Sequence, residues 1–222
     1  MNKKIIILIY FLIEVINFSA QNDTIVNLFF KEPQPETVEF SYYFPENLKG
    51  CYLKKVDSLV EMCISKDSIY SSFPIIINIS KEDFVQRKYS IKDSLIYGIK
   101  NNAGLPFKKF NDTIYALLKQ TELFFKIDER NKLKIQNNKL YLNEQILGEF
   151  YKILELSFVN QSLIIKESNH EMENYPIEML NVSKSQIDNL EFHLAEINFD
   201  DWFDFVNQNG FNDSTEYIKK TE

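Results

Sequence analysis

Leu154-Glu155-Leu156-Ser157-Phe158-Val159-Asn160-Gln161-Ser162-Leu163-Ile164-Ile165 decides the fold class. Leu154, Leu156 and Phe158 alternate with Glu155 and Ser157, the period-two pattern of a strand with one face buried. Asn160-Gln161 is a polar pair suited to a tight turn, and Leu163-Ile164-Ile165 begins a returning strand. The stretch reads as an antiparallel hairpin.

The same grammar repeats outward on both sides, from about residue 36 to 181. Leu133 and Ile135 meet Asn137-Asn138, after which Leu140 and Leu142 return. Tyr89 and Ile91 lead into Lys92-Asp93 before Leu95-Ile96-Tyr97 resumes. Val60, Met62 and Ile64 alternate with Glu61 and Cys63 ahead of Lys66-Asp67, and Ile75-Ile76-Ile77-Asn78-Ile79 is rich in β-branched residues. Such runs suit a pleated, half-buried surface. Residues 113–125 are ambiguous, because Ile114, Leu117, Leu118 and Thr121 also fit a helix face; Tyr115, Phe124 and Phe125 favour strand. The loop Asn101–Pro106 is the clearest break.

Towards the C-terminus the period changes. Ser183-Lys184-Ser185-Gln186 resembles a capping box, and Ile187, Leu190, Leu194 and Ile197 share one helical face. Phe199, Trp202, Phe203 and Val206 predict a second amphipathic helix ending near Gly210. The expected architecture is mainly β (α+β): an antiparallel, hairpin-rich sheet or partly closed barrel, with two C-terminal helices (about 183–210) packed on it. Residues 36–222 read as a single domain preceded by an extension at 21–35.

The N-terminus points to export. Met1-Asn2-Lys3-Lys4 is cationic, Ile5–Ile13 is apolar, and Ser19-Ala20 precede the polar Gln21-Asn22-Asp23, the layout of a signal peptide spanning 1–20. A membrane anchor needs roughly 20 apolar residues, and Glu14 cuts this run short. Removing 1–20 deletes Lys3, Lys4 and Glu14 and moves the net charge from −7 to −8. No membrane span then remains, and the location is periplasmic or secreted. In an oxidising compartment Cys51 and Cys63 read as one disulfide, with free thiols or a redox pair as the alternatives.

Composition removes several functions. An acidic chain without a basic stripe is a poor nucleic-acid binder. Gly50, Gly98, Gly104, Gly148 and Gly210 are too scattered for a phosphate loop or dinucleotide fingerprint, so no cofactor is indicated. His170 and His193 are read as surface or packing residues, because no nucleophile elbow or zinc spacing accompanies them. Asp200, Asp201 and Asp204 have spacing for a hard cation, but acids in the first turn of a helix are favoured without one. Tyr42-Tyr43-Phe44 and Phe124-Phe125 are core or pocket candidates.

Asp-Ser/Thr-Ile/Leu recurs at Asp23-Thr24-Ile25, Asp57-Ser58-Leu59, Asp67-Ser68-Ile69, Asp93-Ser94-Leu95 and Asp112-Thr113-Ile114. Turn chemistry accounts for it, since Asp bonds its own backbone two residues on. The tripeptide also resembles the O-glycosylation sequon of exported proteins in Bacteroidetes-type bacteria. That resemblance implies glycans on one or more of Thr24, Ser58, Ser68, Ser94 and Thr113. Leu48-Lys49-Gly50-Cys51-Tyr52, followed by hairpins and a late helix, resembles the start of lipocalin-like domains through Gly50-x-Tyr52, with Tyr in place of Trp. It implies a barrel mouth holding a small apolar molecule.

The expected function is that of a non-catalytic envelope protein binding a small apolar ligand or another protein. The alternatives are an interaction or immunity-like inhibitor, whose acidic balance would complement a basic partner, and a hydrolase. Protein recovered from its own host's envelope is expected to begin at Gln21, as read by intact mass.

Overall fold

The computed structural model describes residues 25–26, 28–99, 104–146, 149–168, 170–171, 181–187 and 190–220. The leader expected at 1–20, and Thr24, lie outside them. The described chain opens with β1 (Ile25–Val26), β2 (Leu28–Phe30) and β3 (Phe40–Ser41). A meander follows: β4 (Gly50–Lys54), β5 (Asp57–Ile64) and β6 (Ser68–Ile79). The short helix α1 (Lys81–Gln86) leads to β7 (Ser90–Lys92), β8 (Leu95–Tyr97), β9 (Leu105–Phe110) and β10 (Thr113–Lys126). The second meander is β11 (Lys132–Gln136), β12 (Lys139–Ile146), β13 (Phe150–Val159) and β14 (Ser162–Glu167). Then come β15 (His170–Glu171), β16 (Asn181–Ile187), β17 (Leu190–Glu196), helix α2 (Phe199–Asn207) and β18 (Asp213–Lys219).

The hairpin reading holds. Asp93-Ser94, Asn137-Asn138 and Asn160-Gln161 all take φ between 50° and 67°, the left-handed pairs that tight hairpin turns require. The first of these turns falls one residue later than Lys92-Asp93. Residues 113–125 are strand, because β10 pairs with β6 from Ile114–Ile79 to Lys126–Ser68. β18 joins the two meanders by pairing with β14 on one side and β4 on the other. The large sheet is antiparallel apart from the contact of β2 with β17.

The sheet curls around one core without closing into a barrel. Tyr52, Met62, Ile69, Phe125, Leu133, Leu142, Leu156, Leu163 and Tyr217 meet inside it, contributed by nine successive strands of the curl. β10 and β11 are consecutive in sequence and face each other across this core, yet do not pair. The residues around β3 lie in the resulting seam: β3 pairs with β11, and Phe44 N–H donates to the carbonyl of Lys66 at 2.9 Å.

The expected pair of C-terminal helices is corrected to one. β16 and β17 pair antiparallel instead, from Asn181–Glu196 to Ile187–Leu190. The spacing of Ile187, Leu190, Leu194 and Ile197 fits a helical face, but this local pattern does not decide the fold of the segment. β2 also supplies a neighbouring strand, pairing Phe29 with Leu194 and Phe30 with Ala195. Leu194 and Ala195 are both buried, which consecutive residues achieve in a strand covered on two faces.

The second helix forms as α2. Asn198 caps it, accepting from the N–H groups of Asp200 (2.9 Å) and Asp201 (3.0 Å). Its inward face is Trp202, Phe205 and Val206 rather than Trp202, Phe203 and Val206. Phe203 is 55% exposed, because Phe30, Tyr141 and Phe211 pack edge-on or tilted around Trp202 and Phe205 and fix the rotation.

This second core lies on the outer side of β12–β13, which are therefore buried on both faces, and polar side chains there need partners. Asn143 is fully buried. Its Oδ1 accepts from Gln34 N–H at 2.6 Å, and its Nδ2 donates to the carbonyls of Gln34 (2.9 Å) and Tyr141 (3.1 Å). Beside it Lys134 Nζ donates to the carbonyls of Pro33 (2.9 Å) and Pro35 (2.8 Å). Burial pulls the Lys134 ammonium below the usual lysine range, partly offset by Glu36 and Glu32. Asn143→Ala leaves the Gln34 amide unpaired in the interior and is expected to cost roughly 1–3 kcal/mol in urea unfolding.

Candidate functional site

The seam opens into a cleft of about 540 Å³ lined by Phe40, Ser41, Tyr42, Tyr43, Asp67, Ile127, Asp128, Glu129, Lys132 and Leu133. Pairing of β3 with β11 sets Phe40 opposite Lys134 and Ser41 opposite Leu133. Buried Phe44, edge-on to Phe125 at 6.4 Å, anchors the segment at its far end. Between these fixed points the chain runs over the surface. Tyr42 is 72% and Tyr43 55% exposed. Ser41 Oγ donates to the Tyr43 carbonyl at 2.9 Å, which stiffens the turn of chain that displays them.

Charge is distributed unevenly around these rings. Lys66 Nζ sits 4.2 Å from the centre of the Tyr43 ring, and Lys134 and Lys132 lie 4.9 Å and 5.3 Å from that of Phe40. Three carboxylates, of Asp67, Asp128 and Glu129, face them. Asp128 is held below the usual carboxylate range chiefly by the N–H of Asn131, and also by that of Arg130, each donating at 2.9 Å, with Lys126 and Lys132 nearby. It remains ionised across the physiological range. The cleft thus offers aromatic faces, an apolar floor in Leu133 and Ile127, and a lining with three carboxylates against the one ammonium of Lys132.

A smaller cavity of about 170 Å³ lies inside the curl, lined from five strands by residues including Met62, Phe124, Leu154, Thr215 and Tyr217. The Lys152–Glu167 pair at 3.2 Å borders it. It is below the roughly 300 Å³ where ligand pockets begin. The two aromatic runs singled out in the sequence are therefore divided. Phe44 and Phe125 belong to the core, Tyr42 and Tyr43 to the cleft, and Phe124 to the small cavity. Phe40, Asp67, Asp128, Glu129 and Lys132 join the cleft without a sequence signal of their own, since register and the β10–β11 connection assemble them.

Cys51 and Cys63 are directly opposed on β4 and β5 and form the expected disulfide. A Glu61 carboxylate oxygen lies within 4.8 Å of both sulfurs, but with the sulfurs bonded to each other no thiolate is offered to a metal. Glu61 is instead engaged by Lys119 and, at 3.0 Å, by Lys220. The hydrogen bond from Lys119, then that from Lys220, holds its carboxyl below the usual range against the opposing effect of burial.

The four repeated tripeptides within the described residues sit at turns or strand starts. Asp57 Oδ1 accepts from Leu59 N–H at 3.0 Å, the turn bond anticipated for this motif. Ser58 and Ser94 are exposed and Thr113 is half-buried at the first position of β10. Ser68 is 3% exposed, with its hydroxyl donating to Asp67 at 2.9 Å, and has no room for a glycan. Asp200 and Asp201 lie in the first turn of α2, with Asp204 in its second half. Gly50 and Tyr52 open β4, where the Tyr52 hydroxyl donates to the Leu48 carbonyl at 2.7 Å. His170 pairs with Val26 in β15, and His193 lies in β17 opposite Lys184, so sheet register keeps them on separate sheets.

The chain matches no family model, no curated protein and no solved structure in the comparisons made. Its reading rests on the geometry above.

Two measurements test the charged and covalent staples. Cys51→Ser with Cys63→Ser is expected to lower stability by about 3 kcal/mol in denaturant unfolding. The folded-state Glu61 carboxyl titrates below its unfolded value. Its stabilisation is present above the unfolded value and is lost as pH falls through the folded one. The stability gap between wild type and Glu61→Gln is therefore expected to be largest at neutral pH and to vanish in acid.

Proposed function

We propose that the protein is an exported, non-catalytic binding protein and that the seam cleft holds a small, largely apolar ligand with a cationic or donor-bearing end. One observation carries this reading: a cleft of about 540 Å³, within the usual range for ligand sites, that leaves Tyr42 and Tyr43 exposed beside three carboxylates. Aromatic faces gathered in a cleft offer offset or edge-on ring contacts to a flat apolar body. The carboxylates of the lining favour donors or positive charge at the ligand's other end. The cross-strand disulfide supports an oxidising compartment, in line with the leader-like N-terminus.

A second reading has its own support. Tyr42 at 72% exposure stands far enough out to anchor a protein partner, as aromatic residues at interfaces do. In that case the acidic rim would meet a basic surface.

The fluorescent amine N-phenyl-naphthylamine distinguishes the two. Wild type is expected to enhance its emission saturably, and Tyr42→Ala with Tyr43→Ala to weaken the binding about tenfold or more at an unchanged melting temperature. No enhancement by the folded wild-type protein would move the assignment to the protein-partner reading. Enhancement equal in both proteins would place the probe elsewhere and remove the cleft from the argument.

A further inference from the structure

The charge of this acidic chain is segregated. Residues 73–120 hold eight Lys and Arg against Glu82, Asp83, Asp93 and Asp112, a balance of +4, or +3 without Lys119, which pairs with Glu61 at the base of the hairpin; with the whole chain at −7, the remainder outside 73–120 carries −11. The fold gives this block its own place. β5 pairs with β6 only as far as Ser72, whereas β10 stays paired with β6 out to Ile79. Seven further residues carry the hairpin about 23 Å beyond β5. That is nearly three Debye lengths at physiological ionic strength, about 8 Å each. Salt therefore screens the basic end from the acidic body, and an approaching surface meets its field alone.

One face of this projecting hairpin is covered. Ile79, Ile96, Ile99, Ile114 and Ala116 form a small core there, with Phe84 of α1 packed against it. Nothing among the described residues covers the opposite face. Ile76 lies directly across from Leu117, Tyr115 is two residues further along β10, and Phe110 continues the face onto β9 opposite Thr113. Ile76 and Phe110 are each 68% exposed, Leu117 40% and Tyr115 38%. Lys108 lies opposite Tyr115 on this face, and register through β8 puts Lys92 on it too. Lys92 and Lys108 make no ion pair among the described residues, while Lys109, opposite Ile114, belongs by register to the covered face. Asp93 and Asp112 lie in turns, and Glu82 and Asp83 on α1, so no carboxylate of the block stands on the face itself.

We propose that this lysine-rimmed apolar face docks the protein on an anionic lipid bilayer. Interfacial binding needs apolar side chains able to enter the headgroup boundary, together with cations that meet anionic lipid. Each lysine near such a surface strengthens partition about fivefold. The projection of the hairpin lets a planar surface reach the face while the acidic body stays outside the screening distance. A second copy is a weaker occupant. The acidic, apolar ridge it could offer, Asp200, Phe203 and Asp204 on α2, is a single short helix face. Its contact with the hairpin would be head-to-tail and open-ended rather than closed.

Co-sedimentation of the full chain tests this, using vesicles of phosphatidylcholine alone and of equal parts phosphatidylcholine and phosphatidylglycerol. Wild type is expected to partition preferentially onto the anionic vesicles and to be released by high salt. Lys92→Glu with Lys108→Glu, and separately Phe110→Ser with Ile76→Ser, are expected to weaken partition about tenfold or more. All four side chains are exposed, so the melting temperature is expected to hold. The apolar run at residues 5–13 is common to every protein compared, and its own affinity for lipid cancels. Wild type that shows no preference for anionic vesicles overturns the proposal, as do variants that partition like wild type. Self-association without vesicles that the same substitutions abolish would also overturn it, assigning the face to a second copy.

Discussion

The burial of β12 and β13 on both faces is the constraint from which the rest of the molecule follows. Their inner side chains, Leu140, Leu142, Leu154 and Leu156, fill the curl of the sheet. Their outer ones, Tyr141 and Ile153, meet Phe30 and α2. A strand pair covered twice has no water for its polar groups, so Asn143 and Glu155 must find partners in the protein. Glu155 does so with Lys139 at 2.8 Å. Asn143 and Lys134 do so with the backbone of residues 33–36, pinning the chain just ahead of β3. That pinning places the aromatic segment in the seam.

The seam explains why a site exists at all. A sheet whose curl closed between β10 and β11 would satisfy its edges with backbone pairing and leave no opening. Here the gap is spanned by residues 40–44, held by β11 on one side and by the β5–β6 turn on the other. A short irregular segment between two fixed walls cannot bury every side chain it carries. It buries Phe44 and exposes Tyr42 and Tyr43. The same economy governs the hairpin of β6 and β10, where one small core covers one face and nothing described covers the other.

Much of this was legible in the sequence, and the failures have physical causes. Hairpin turns could be read because Asp, Asn and Ser tolerate the left-handed backbone that such turns need. The disulfide could be read from two cysteines beside neighbouring strands. The pairing of β16 with β17 could not, because a stripe at spacing three and four fits a helix locally, and only the distant β2 decides for strand. The wrong face of α2 has the same origin: Phe203 and Phe205 are equally greasy, and which one turns inward depends on Phe30 and Tyr141. The cleft was visible only as Tyr42-Tyr43. Its carboxylates come from two turns more than sixty residues apart in sequence, a juxtaposition that local pattern does not encode.

The register also orders events during synthesis. β4 takes Tyr217–Lys219 as one of its neighbours, and β2 takes His193–Ala195. Strands made first thus await partners made last. Contacts of such long separation form slowly, since the loop entropy must be met before they stabilise anything. The N-terminal strands consequently have no finished sheet to join until nearly the whole chain has left the ribosome. Folding of such a chain is a late, concerted event rather than a stepwise growth from its N-terminus.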